Sequence, residues 1–194
     1  MMSSPFPLIR VLVSCFALTL AVSSAAESPR IPKNVLDVEL KATFLFRLGS
    51  YVEWSPQHLP ESLDTLTICV LGKNPMGSLL DYYNGRPIHD RIARIIEIAS
   101  LRSSKACNVI YLSKKEPGGL RLMRQFEKLK GVLTVSDRED FTCRGGMVRF
   151  VSENKRLALE ISQQAATDAG LSISSQLLAI AKFPDFDRCR GTSP

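Results

Sequence analysis

Residues 133–181 read LTVSDREDFTCRGGMVRFVSENKRLALEISQQAATDAGLSISSQLLAIA, and the order of signals in this stretch decides the fold. The β-branched run Val132–Ser136 predicts a strand, closed by the polar residues Asp137–Asp140. Arg144-Gly145-Gly146 then lets the backbone turn sharply, because glycine has no Cβ to oppose a positive φ. Two apolar-rich segments follow, Met147–Ser152 and Leu157–Ile161, joined by the polar turn Glu153-Asn154-Lys155-Arg156 of hairpin length. Gln163–Ala169 predicts a helix stopped by Gly170 at its C′ position. Ser174 or Ser175 then caps a last helix running through Gln176–Ala181.

Upstream, Leu36, Leu40, Phe44, Leu45, Leu48 and Val52 recur at threes and fours, which predicts a long amphipathic helix from Val35. Trp54-Ser55-Pro56 ends it, with Trp54 packing against its end. Thr65–Leu71 is a nearly continuous apolar run, as in a strand covered on both faces. A short helix around Met76–Tyr83, an outer strand Ile92–Ile98, a buried strand Val109–Leu112 and a helix Leu120–Leu129 follow. Repeated strand–helix–strand units predict an α/β fold, a three-layer α/β/α sandwich with a mixed sheet of about six strands. Right-handed crossovers place Thr65–Leu71, Val109–Leu112 and Val132–Ser136 side by side in parallel, and the terminal hairpin makes the sheet mixed.

The first residues carry a different message. Arg10, the apolar run Val11–Val22 and the small residues Ser24-Ala25-Ala26 form a signal peptide over 1–26, cleaved before Glu27. The run is shorter than the ~20 residues a membrane-spanning helix needs. Residues 27–194 then form a single domain, with no repeat or second boundary, and the expected location is the periplasm. Cleavage removes one charge, Arg10, from a formal net charge of +6. No long run of like charge and no basic stripe interleaved with aromatics occurs, so nucleic acid is not an expected partner. Cys69, Cys107, Cys143 and Cys189 remain, an even count that in an exported chain predicts two disulfides with three possible connectivities.

Reaction chemistry is not encoded in any recognisable form. There is no GxSxG elbow, no dinucleotide fingerprint and no CxxC spacing, and His58 and His89 lie far from each other and from the cysteines. GKNPMG at 72–77 lacks the phosphate-loop spacing, and Asn74-Pro75 reads as a helix cap followed by a first-turn proline. Asp137, Glu139 and Asp140 form an ordinary polar loop after a strand. The expectation is therefore no catalytic residue, no metal site and no cofactor. A small-molecule sensor is the rival reading: Gly72-Lys73-Asn74, Ser113-Lys114-Lys115 and Ser136-Asp137 would sit at the carboxyl ends of the parallel strands, where lysines suit an anion.

The motifs in this chain resemble the YfiR family of periplasmic regulators. The resemblance rests on LTVSD (133–137), Phe141, GGM (145–147), LEI (159–161) and AGLSISSQLLAIA (169–181). LKATFLFRLGSYVEW (40–54), ICVLG (68–72) and CNVIYLS (107–113) extend it toward the N-terminus. It implies a protein that binds the periplasmic sensor domain of an inner-membrane diguanylate cyclase and represses it. A peptidoglycan-binding outer-membrane lipoprotein would draw the repressor away, raising cyclic di-GMP and biofilm formation. Another membrane sensor, such as a kinase, is the alternative partner, and the long first helix leaves a homodimer open. The resemblance places the partner-binding surface around Val148, Phe150, Glu160, Leu171 and Ile173. Core packing competes for the apolar members, whereas Glu160, between Leu159 and Ile161, must face solvent or find a partner. The resemblance also implies that Cys69 pairs with Cys107, although strand register sets them ~10 Å apart unless the strands are staggered. Cys143 matches a family cysteine, but Val148, Arg149 and Phe150 stand where its hairpin partner is expected. Cys189 is the remaining candidate, against a tail cysteine that stays free or crosslinks two chains.

Overall fold

In the computed structural model, which describes residues 33–58, 64–153 and 156–191, the first helix, α1, spans Lys33–Leu48. Ala42, Leu45, Phe46 and Leu48 form its buried side, and Arg47 stays outside. The helix stops short of the Val52 expected from its periodicity. At Gly49 the backbone packs closely against Leu66, whose Cδ2 would stand 2.5 Å from a Cβ there. After a 3-10 turn, Val52–Trp54 becomes a strand, β1, with Val52 and Trp54 inward and Glu53 outward. Trp54 is buried as expected, and its indole N–H also donates to Gly131 O at 2.9 Å.

The remaining elements are β2 (Thr65–Leu71), α2 (Ser78–Asp81), β3 (Pro87–Ile88), β4 (Arg91–Ile98), β5 (Val109–Leu112), α3 (Gly119–Phe126), β6 (Leu133–Ser136), β7 (Val148–Glu153), β8 (Arg156–Ile161), α4 (Gln163–Asp168), β9 (Leu171–Ile173), α5 (Ser175–Leu178) and α6 (Phe186–Gly191). The main sheet has the order β3-β4-β2-β5-β6-β7-β8. Its centre is parallel from β4 to β7, and an antiparallel strand closes each edge. β2, β5 and β6 lie side by side in parallel, as right-handed crossovers require. The two-residue β3 brings the count to seven strands, and β1 pairs with β9 in a separate two-stranded sheet.

Strand alternation sorts the core into two layers. Leu66, Ile68, Val70, Tyr111 and Val135 face α1. Cys69, Leu71, Ile110 and Leu112 face the other way, against Met123 and Phe126 of α3. The result is an α/β fold with a helix-covered sheet.

Of the two residues offered as the cap of the last helix, Ser174 is the one that caps it, and Ser162, which the sequence reading did not single out, caps α4. Ser162 and Ser174 each accept a hydrogen bond from the backbone three residues on, Ala165 and Leu177, at 3.4 Å. Gly170 ends α4 with a φ of 79°. α5 is shorter than expected, because beyond it the chain joins the free edge of β8: Ile161 N donates to Lys182 O and Lys182 N to Leu159 O, both at 2.8 Å. That contact covers an edge that would otherwise be open.

Both disulfides form, Cys69–Cys107 with Cα atoms 5.8 Å apart and Cys143–Cys189 at 5.0 Å. The register concern was real, since Cys69 lies opposite Ile110, three residues beyond Cys107. A 3-10 segment, Leu101–Ala106, resolves it by delivering Cys107 into the apolar layer that holds Cys69. The β2–β5 ladder starts at the next residue: Asn108 N donates to Thr67 O at 2.9 Å and its side-chain oxygen accepts from Thr67 N at 2.6 Å. The signal-peptide reading concerns residues outside those described.

Candidate functional site

The hairpin β7–β8 pairs Arg149 directly with Glu160, so both side chains project on one face, the face opposite α1. The guanidinium meets the carboxylate in a fork, Nε to Oε1 at 3.1 Å and Nη2 to Oε2 at 2.9 Å. Two further groups close the cage. The Thr142 hydroxyl donates to Oε1, and Arg188 Nη2, from α6, reaches the same oxygen at 2.7 Å. Glu160 is only 5% exposed, so burial pushes its carboxyl pKa up. Hydrogen bonds from Thr142, Arg188 and Arg149 outweigh that and hold it below the ordinary carboxylate range. Cys143–Cys189 ties α6 to the turn that carries Thr142, next to this cluster. Arg188 Nη2 also touches Cys143 Sγ at 3.6 Å, while its buried Nε has no partner.

The carboxyl ends of the parallel strands are filled by the chain's own acids. Lys41 bridges Asp37 at 3.0 Å and Asp137 at 3.3 Å. Asp137 also accepts from Lys114 N at 2.7 Å. Burial and then the Asp137 carboxylate push the Tyr111 hydroxyl far up, so it stays protonated. The Glu116 carboxylate lies against Gly72, where a Cβ would come within 1.9 Å of it. The three loops expected to receive an anion are thus lined by carboxylates that already engage them.

An open surface lies elsewhere, where the C-terminal end of α1 meets α5 and the turn between β3 and β4. An apolar hollow of ≈ 160 Å³ is lined by Phe44, Leu48, Tyr51, Leu177 and Ile180. Arg47, Tyr51 and Gln176 are shared with a polar hollow of ≈ 400 Å³ that adds Ser174, Ser175 and His89. His89 turns the chain with a φ of 52°, in the left-handed region that side chains seldom adopt. Two large apolar residues stand out nearby in the sequence, Ile180 at 68% and Phe183 at 59% exposure.

The residues expected to bind a partner do not reach this surface. Val148, Phe150, Leu171 and Ile173 are all buried in the layer beneath α1. β7 lies between β6 and β8, Phe150 packs 6.1 Å from Tyr111, and β9 is held by β1. These four side chains are covered in the domain, and the exposed apolar groups of the region are Ile180 and Phe183. Glu160 also lies inside, and its counter-charges come from the same chain. The sequence reading named no partner for Glu160, though a signal for Arg149 was there: setting Glu153 opposite Arg156 across the turn puts Arg149 opposite Glu160. No local pattern announced Arg188 or the groove at the end of α1.

Among the described residues no helix is long and apolar enough to cross a membrane, and no cluster of three or more His, Cys, Asp or Glu could hold a metal. The described residues thus form a disulfide-braced α/β domain that holds a caged carboxylate and carries an amphipathic groove. The chain belongs to the YfiR/HmsC-like family, whose model matches residues 38–182, well over half of its length. No curated protein matches it. The matched region runs from within α1 to Lys182 and stops before α6.

Proposed function

We propose that this chain is a periplasmic regulator that binds the periplasmic sensor domain of an inner-membrane diguanylate cyclase and represses it. The family match over residues 38–182 is the observation that carries this reading. On it, envelope or redox state sets cyclic di-GMP and biofilm formation through the free concentration of this protein. A peptidoglycan-binding outer-membrane lipoprotein competes for it, and the chain performs no catalysis of its own. Export by a cleaved leader places it in the right compartment, and disulfides suit that compartment.

The groove between α1 and α5 is the docking surface this reading favours, because it joins apolar and polar linings with the exposed Ile180 at its rim. The test uses the purified 27–194 protein and the periplasmic domains of the host's membrane cyclases, one at a time. One domain should bind, and Ile180→Glu should weaken that binding at least about tenfold, about 1.4 kcal/mol, while leaving the melting curve unchanged. Binding by no cyclase domain rejects the reading. Binding that ignores Ile180→Glu rejects the groove only.

A second reading rests on the polar hollow, where Arg47 and His89 stand with Ser50, Ser174 and Ser175 and no carboxylate lines the wall. On that reading the domain senses a small anion and acts on another membrane sensor such as a kinase. Calorimetric titration with inorganic phosphate and simple carboxylates, repeated on Arg47→Ala, distinguishes the two.

A further inference from the structure

The positive charge of the chain is gathered in one layer. Residues 102–130 hold eight Lys or Arg against Glu116 and Glu127, a net of +6 that equals the whole chain's, so the charges of the remainder cancel. Two elements of that stretch cover the same face of the sheet, the 3-10 segment Leu101–Ala106 and α3. Leu101, Leu122, Met123 and Phe126 pack inward with Cys69, Ile110 and Leu112. The cations lie on the other side. Arg102 and Lys105 stand three residues apart in the 3-10 segment, one above the other. Arg121, Arg124 and Lys128 repeat at helical spacing along α3 and the turn that ends it, opposite Met123 and Phe126. All five are exposed.

Among the described residues no ion pair uses any of these five, whereas Lys41, Arg144, Arg149, Lys182 and Arg188 are each paired with a carboxylate. The two acids of the stretch are turned aside, Glu116 against Gly72 and Glu127 against Gly145. Like charges gathered without counter-charge repel one another, a cost that an anionic surface outside the chain removes. The exposed large apolar side chains, Tyr82, Ile92, Ile180 and Phe183, all lie on other elements. The face therefore lacks the apolar anchors of a specific protein interface and the rings on which nucleic-acid bases stack. Cations spread over two neighbouring elements, without such anchors, suit a plane of headgroup phosphates.

We propose that the outer face of the α3 layer docks on an anionic phospholipid bilayer, which for an exported chain is the outer leaflet of the inner membrane. Headgroup phosphate oxygens accept from Arg102, Lys105, Arg121, Arg124 and Lys128, and the protein lies on the bilayer without entering it. The groove lined by Phe44, Leu48 and Leu177 belongs to the α1 layer, across the sheet, and stays open. A bound molecule thus searches for a membrane-embedded partner in two dimensions with its docking groove free.

The test is co-sedimentation of the 27–194 protein with vesicles of phosphatidylcholine, alone or with about one-third phosphatidylglycerol. No protein is present in the vesicles, so the outcome is independent of which partner the groove receives. Binding should occur only on the anionic vesicles. It should fall at least about tenfold as salt rises from about 0.1 M to about 1 M and the Debye length shrinks from about 10 Å to about 3 Å. Arg121→Glu with Arg124→Glu should weaken it at least about twentyfold, since each basic residue near such a surface contributes about fivefold. Lys73→Glu with Arg156→Glu makes the same change in net charge outside this layer and should leave binding within about twofold. Both double variants should keep the wild-type melting curve, because all four side chains are exposed. Binding to neither kind of vesicle, or equally to both, overturns the proposal. An equal loss in the two double variants does so as well, because net charge alone then governs. Competition by soluble glycerol phosphate at the vesicles' phosphate concentration, or tighter binding to single-stranded DNA, overturns it too: the face then holds a single phosphate or a polyanion, not a membrane.

Discussion

Cys69–Cys107 and Cys143–Cys189 span 38 and 46 residues of sequence. Loop-closure entropy alone gives each about 4 kcal/mol, because the term grows only with the logarithm of loop length. Their surroundings separate them. The first joins two segments of one packed layer, both of which the core holds in place without the bond. The second joins that domain to a tail with no buried side chain among those described. A crosslink inside a core constrains only the unfolded chain, whereas a crosslink to a weakly held tail also constrains the native one. When the second bond is lost, the native tail recovers freedom that offsets part of the entropy gained by the unfolded state.

The largest effect should come from the core. Cys69→Ala with Cys107→Ala should lower unfolding free energy by about 4 kcal/mol in urea titration without reductant. A loss no larger than that of the tail disulfide would break the comparison.

Glu160→Ala should come next, at about 3 kcal/mol, because Arg149, with a side chain only 10% exposed, loses its counter-charge. Replacing the pair together, Arg149→Met with Glu160→Leu, should recover most of that loss, since a buried ion pair and a packed apolar pair are of similar worth. Failure of the rescue would mean that Glu160 stabilises chiefly through Thr142 and Arg188.

Cys143→Ser with Cys189→Ser should cost only about 1–2 kcal/mol, well under the loop-entropy value, because of the freed native tail. A full ~4 kcal/mol would show that the tail stays ordered without its bond.

The smallest effect is the pH dependence from Glu160. Its folded pKa is lowered despite burial, by Thr142, Arg188 and Arg149. The unfolded chain therefore binds more protons in the window below the ordinary glutamate pKa, and stability rises with pH there. The contribution is complete above that unfolded value and is lost as pH falls through the lowered folded one. Arg188→Ala removes one donor and should shrink this acid-side slope relative to wild type, while Glu160→Gln should abolish it.

Legibility followed the range of the interactions. The strands of the parallel core, the serine cap at Ser174 and the glycine stop at Gly170 rest on neighbouring residues, and they stand where the pattern put them. The residues expected at the docking surface lie buried for a definite reason. Resemblance supplies a region of chain, but the direction of a side chain depends on what covers each face. Val148 and Phe150 alternate inward under α1, and Leu171 and Ile173 do so in β9, a strand that exists only because β1 pairs with it. The end of α1 shows the same limit. Its apolar period continues to Val52, but Val52–Trp54 pairs with Leu171–Ile173, far along the chain, and becomes strand.

By itself, then, the amino-acid sequence determined a mixed α/β sandwich, the parallel core β2–β5–β6 and the terminal hairpin. Periodicity, turn chemistry and right-handed crossover are local or chiral rules that need no partner in space. Only the tertiary structure decided how Cys107 reaches Cys69 across a three-residue mismatch, that Arg149 and Arg188 both pair with Glu160, and where the open groove lies. Each of those joins residues distant in sequence, and their meeting is set by how whole layers pack.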